Sequence, residues 1–153
     1  MFPILLALVA QATTSQSAVP TRLSSEQSAV LIPVNAAFVA FERGDGKALM
    51  AHVYADGRVT AVGTLASGFT GVRQSSFTEF AHNLSPERPF KERIKNPRVS
   101  IDGDIAMVWA PFTVELGGKL ASCGMDHFDL VRERGSWKIM NITFSTRTTG
   151  CAK

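Results

Sequence analysis

Residues 104–151, DIAMVWAPFTVELGGKLASCGMDHFDLVRERGSWKIMNITFSTRTTGC, decide the fold. Breaks at Gly117-Gly118 and at Arg134-Gly135-Ser136 divide the stretch into three long runs rich in aromatic and β-branched residues. Such runs, alternating and closed by tight turns, predict three consecutive β-strands. Just upstream, Asp102-Gly103 is a hairpin signal, because type I′ turns need positive φ at both central residues. Phe90 to Ile101 is therefore expected as a further long strand paired to the first.

Further upstream the period changes from 2 to 3.6. Arg73 to Leu84 places Phe77, Phe80 and Ala81 on one helical face, and Pro86 and Pro89 stop it. Arg58 to Leu65 predicts a short strand, followed by the glycine-containing loop SGFTGV. Asp45 suits the cap of a short helix running through Leu49, Met50 and Val53, closed by Ala55-Asp56-Gly57. Val30, Leu31, Val34, Phe38 and Phe41 recur at helical spacing, with Ser24 or Ser25 as a possible cap. Because proline fits the first turn of a helix, the regular part is expected to begin near Pro33 and end before Gly44. Helices first and antiparallel strands afterwards argue for an α+β fold.

The length of 153 residues fits one domain, expected over 24–151. With 45% hydrophobic and 19% charged residues, and mean hydropathy +0.09, the composition is that of a globular chain. No apolar run approaches the roughly 20 residues that span a bilayer. The net charge of +3 is concentrated in Arg88, Lys91, Arg93, Lys95 and Arg98, interspersed with Glu87 and Glu92. This run reads as a solvated edge strand whose charges discourage further pairing, with attraction of an anionic partner as the alternative; no nucleic-acid partner is expected. The leader Phe2 to Ala10, FPILLALVA, followed by Ala10-Gln11-Ala12, matches a signal peptide over 1–12. A Ser/Thr-rich flexible segment, 13–23, follows it, and the expected location is periplasmic or secreted. In that compartment Cys123 and Cys151, the only two cysteines, can form a disulfide. Cys123 packed as a small hydrophobe and Cys151 loose in the tail is the alternative. No glycine loop for phosphate and no metal-ligand spacing is present, so no cofactor and no metal is expected.

The element order, with DGDIAMVWAPF, SCGMDHFDLVRERGSWKIMNITF and the terminal TGC, resembles the cone-shaped nuclear transport factor 2-like superfamily. Ketosteroid isomerase and scytalone dehydratase belong there. More narrowly, these segments are similar to its SnoaL-like group of exported bacterial proteins, labelled lumazine-binding or polyketide-cyclase-like. The resemblance covers about residues 30–151. It implies helices packed on a curved antiparallel sheet and a site facing the cone interior. In ketosteroid isomerase the oxyanion donor is a tyrosine; this chain has only Tyr54, placed near the end of the second helix, so that mechanism is not carried over.

Counting outward from two-residue turns gives a register. It sets Ala121 opposite Val114, Asp126 opposite Trp109 and Ser145, and Phe128 opposite Thr143. One face then carries Met107, Trp109, Asp126, Phe128, Leu130, Ile139, Asn141, Thr143, Ser145 and Arg147. The other carries Val108, Ala110, Phe112, Val114, Cys123, Met125, His127, Asp129, Met140, Ile142 and Phe144, a set suited to a core or a homodimer interface. The first face mixes large apolar groups with a few converging polar ones, as ligand pockets do. Its binding candidates are Met107, Trp109, Phe128, Asn141, Thr143 and Ser145. Asp126, desolvated beside Trp109 and Phe128, is the candidate general base or neutral donor; accepting bonds from Ser145 is its structural alternative. His127 falls on the opposite face, so the two adjacent residues form no dyad. Cys123 falls opposite Thr148, so a bridge to Cys151 requires the tail to bend back at Gly150. Three functions follow: a binding domain for a small, partly apolar molecule; an isomerase, cyclase or dehydratase using Asp126; or a non-catalytic homodimeric module.

Overall fold

A computed structural model describes residues 23–151. The expected signal peptide, and the leader apart from Leu23, lie outside the described residues. The element order is α1 (Ser25–Arg43), α2 (Gly46–Met50), β1 (Val53–Thr64), β2 (Thr70–Ser76) and α3 (Phe77–His82), then β3 (Lys91–Ile94), β4 (Arg98–Asp102), β5 (Ile105–Leu116), β6 (Lys119–Glu133) and β7 (Ser136–Arg147). The seven strands form one curved, unclosed sheet in the order β2-β1-β7-β6-β5-β3, with β4 also on β5. The helices pack on its inner face, so the α+β expectation holds. The sheet is mixed rather than wholly antiparallel, because β1 runs parallel to β7.

Helix α1 begins eight residues before Pro33. Ser24 and Gln27 form a reciprocal capping box that satisfies the first amides. Val30, Pro33, Val34, Ala37, Phe38 and Phe41 bury one face against the sheet, and that packing outweighs the hydrogen bond that proline removes. Gly44, in the left-handed region at φ 63°, ends the helix. The expected helix over Arg73 to Leu84 shortens to α3, because Thr70–Ser76 pairs with β1 instead. Here too a capping box, Ser76 with Glu79, marks the start. Ala55-Asp56-Gly57 is not a turn; it lies within β1, which begins at Val53 and passes through an irregularity before pairing regularly from Arg58. Asn141 Oδ1 accepts the Arg58 amide there at 3.0 Å.

The expected long strand Phe90 to Ile101 is two strands, β3 and β4, on successive halves of β5. Pro97 has no amide to offer a ladder and Asn96 has φ 45°, so the chain steps out and re-enters. The hairpin that follows closes over Gly103-Asp104, one residue later than expected, with Asp102 opposite Ile105. The other turns close over Gly117-Gly118 and Arg134-Gly135, all at positive φ.

Candidate functional site

Two β-bulges decide where the site lies. The register runs as counted from Leu116 opposite Lys119 to Glu115 opposite Leu120, then slips so that Val114 faces Ser122. A second slip between Asp129 and Leu130 follows the turn from β6 to β7. Each extra residue reverses the parity of everything beyond it. Asp126 therefore stands opposite Ala110 and Phe144, not Trp109 and Ser145, and Phe128 stands opposite Val108 and Ile142.

The inner face is the row Val108, Phe128, Ile142 and Val59 beside the row Ala110, Asp126, Phe144 and Ala61. The outer face carries Trp109, His127 and Thr143 in one row, Met107, Asp129 and Asn141 in the next, and Met125 with Ser145 in a third. Of the expected binding residues, the structure leaves Phe128 with Asp126 inside and puts Met107, Trp109, Asn141, Thr143 and Ser145 together outside. Asn141 and Ser145 are engaged by backbone: the first holds Arg58, and Ser145 Oγ accepts the Met125 amide at 3.0 Å. His127 is apart from Asp126, as expected, with Nε2 3.5 Å from Asp129 Oδ1. Tyr54 is the second residue of β1 and lies under Lys138, and it does not line the cavity described next.

Between helices and sheet lies a cavity of about 210 Å³. Its walls include Phe41, Phe80, Phe90, Phe112, Phe128 and Phe144; Phe41 stacks on Phe90 at 4.9 Å between centroids, and Phe112 meets Phe144 edge-on at 5.8 Å. Asp126 has Ala110 on one side and Phe144 on the other in the ladder. The cavity's polar lining residues are Glu92, Asp126, Ser122 and Thr146. Asp126 is 1% exposed, and its Oδ2 meets no donor. Burial first, then the charge and hydrogen bond of Glu92, push the Asp126 carboxyl well above the usual carboxylate range. Burial raises Glu92 to about 7, against the hydrogen bond to Asp126 that lowers it. Two carboxyls hydrogen-bond each other only while one holds a proton, so the pair titrates as a unit, in two steps. Such a pair can hold a proton at neutral pH and either donate or accept one.

Glu92 was missed in the sequence because it stands in the basic run. Alternation carries the signal: Phe90, Glu92 and Ile94 share one face, while Lys91, Arg93 and Lys95 share the other. Arg93 reaches Glu42 on α1 at 2.7 Å. Among the described residues no group of three or more potential metal ligands occurs, and no helix is long and apolar enough to cross a membrane.

Cys123 and Cys151 are bridged, with Cα atoms 5.7 Å apart. Cys123 stands opposite Arg147 rather than Thr148, and the tail bends back through Gly150 at φ 67°.

No curated protein matches the sequence. Solved structures share the fold. A nuclear transport factor 2-like protein from Cytophaga hutchinsonii is 12% identical, with TM-score 0.66, covering 81% of this chain and 100% of its own. A protein of unknown function from Nostoc punctiforme, described as cystatin-like in fold, is 13% identical at TM-score 0.64, covering 84% and 97%. A member of the same family from Streptomyces avermitilis, provisionally named a dehydratase, is 21% identical at TM-score 0.61, covering 79% and 95%. The SnoaL-like domain family matches residues 32–148, and the chain belongs to that family, within the nuclear transport factor 2-like fold.

Proposed function

We propose that this protein binds a small, mostly apolar molecule in the cavity between helices and sheet, with the molecule's polar group meeting Asp126 and Glu92. The observation that carries this is a buried, donor-less Asp126 oxygen at the wall of an otherwise largely apolar space, since a polar atom left unpaired in an apolar interior costs roughly 1–3 kcal/mol unless a ligand satisfies it. The volume of about 210 Å³ lies below the roughly 300–1,000 Å³ of pockets for drug-sized ligands, which favours a compact ligand of one ring. Native mass spectrometry of protein purified from its own host tests the reading. A retained small mass that is lost when Val114→Trp fills the cavity supports it. Neither a retained mass nor magnetisation transfer to small aromatic molecules in solution would sink it.

A second reading is proton-transfer catalysis as an isomerase, cyclase or dehydratase. The raised carboxyl pair favours it, with Asp126 holding the proton and Glu92 available as base. The provisional dehydratase name of the Streptomyces relative is in keeping with it. Turnover that survives Asp126→Asn would remove Asp126 from that role. Export is proposed from the apolar leader with its Ala10-Gln11-Ala12 site and from the Cys123–Cys151 bridge, a bond that persists in oxidising compartments. A homodimer would use the outer face, where Ile105, Met107 and Trp109 are 60%, 40% and 42% exposed. Sedimentation of wild type against Trp109→Glu measures that.

A further inference from the structure

We infer that the ligand of this cavity is a small organic cation, an aryl- or alkylammonium whose N–H groups donate to the Asp126–Glu92 carboxyl pair and whose carbon body lies against the phenylalanine wall. The inference rests on the binding reading above and names its ligand class.

The charges around the cavity support it. Glu92 and Asp126 line it, and no Lys, Arg or His does. The basic groups nearby are turned elsewhere. On β3, Arg93 pairs with Glu42 of α1, and Lys91 stands opposite Glu115 of β5 in the ladder. Arg73 of β2 does share the inner face, as the partner of Ala61, but it lines an adjoining groove with Asn83 and is separated from Asp126 by the Ala61 and Phe144 positions. On β6 and β7, His127, Asp129 and Arg147 belong to the outer face, and His82 ends α3 with its side chain outside the lining. Once the pair has released one proton, its negative charge has no counter-charge in the wall. A buried charge of that kind is costly in low dielectric unless something neutralises it. An anionic ligand would add to the repulsion, and a neutral one would leave the charge as it is. An ammonium ion cancels it and gives Asp126 Oδ2 the donor that the protein does not supply.

The wall suits the same ligand. Six phenylalanine rings, Phe41, Phe80, Phe90, Phe112, Phe128 and Phe144, border the space. An aromatic face carries the negative lobe of its quadrupole, so rings and carboxylates together favour a cation with an apolar body. Linkage then gives a sign. Ammonium binding favours the ionised pair, so affinity rises with pH through the range where Glu92 titrates, about 7. A neutral hydroxyl compound bound by the protonated pair shows the opposite slope.

Calorimetric titration of the full chain with 2-phenylethylamine, 2-phenylethanol and phenylacetate at pH 6 and pH 8 tests this. The amine, whose pKa resembles that of lysine, stays cationic at both. Expected are a preference of tenfold or more for the amine over the alcohol, no binding of phenylacetate, and amine affinity about tenfold higher at pH 8 than at pH 6. Glu92→Gln should remove most of the amine's preference; should that variant misfold, the wild-type pH pair still decides. The alcohol or phenylacetate binding as well as the amine, or amine affinity flat or falling with pH, overturns the cation assignment and leaves the binding reading standing. If none of the three binds and xenon also fails to enter the cavity, both readings are overturned.

Discussion

Asp126 and His127 are neighbours in β6, yet they live in different solvents. Asp126 is 1% exposed among phenylalanines with its carboxyl pushed up by burial and by Glu92. His127 is on the outer face beside Asp129 and Trp109, where its side chain is 29% exposed. The same contrast runs along β5, where Ala106, Val108, Ala110 and Phe112 are buried while Ile105, Met107, Trp109 and Pro111 are exposed. In a sheet covered on one face, chemistry follows parity: one step along the chain moves a titratable group between water and an apolar cavity.

The largest test of that contrast is to truncate one aromatic from each face. Phe128→Ala should cost about 4 kcal/mol, because Phe128 packs against Phe38 of α1 and the space left cannot collapse fully. Trp109→Ala should cost under about 1 kcal/mol. Equal losses in chemical denaturation would show that the outer face is covered too.

Next in size is the staple on the outer side. Cys123→Ser with Cys151→Ser should destabilise by about 3 kcal/mol, since the bridge joins residues 28 apart in sequence. Unchanged stability, with two thiols titrating in the unreduced wild type, would remove the bridge.

The carboxyl pair, Asp126 buried and Glu92 half-buried, gives a smaller effect with a defined sign. Both carboxyls are raised in the folded protein, so the folded state keeps protons that the unfolded chain has lost above about pH 4. Their contribution to stability is full below that pH and falls as pH rises through about 7, where Glu92 titrates. The double variant Asp126→Asn, Glu92→Gln should therefore gain on wild type by on the order of 2 kcal/mol between pH 5 and pH 8. A difference independent of pH would place the pair in water. Smallest of all, Asp129→Asn on the outer face should change stability by no more than about 0.5 kcal/mol across the same range. A larger change would mean that the outer face is less wet than its exposure implies.

The turns and caps were legible because they are local. Gly117-Gly118 and Gly135 need positive φ and advertise it, and Ser24 is a residue suited to cap a helix; Arg134 carries no such signal, yet it sits in the turn at φ 52°, so that Arg132 meets Trp137. The bridge was legible as a question about Gly150, and the structure answers with the bend. Pro33 misled, because its cost is local while the burial of Val30, Val34 and Phe38 that offsets it comes from the sheet. Arg73 misled in the other direction: a helical pattern gave way to pairing with β1.

The candidate site divides along the same line. The sequence by itself determined the α+β class, the alternation of each strand and the choice of Asp126 as the carboxylate to watch. It did not determine which face Asp126 shares with which neighbours. That depended on one extra residue near Ala121 and another near Met140, and a bulge is placed by how two strands and the helices above them pack, not by the residues inside it. Glu92 entered the site the same way, carried in by an edge strand whose basic neighbours face out. Local chemistry wrote the strands, and only tertiary packing decided which of their two faces became the cavity.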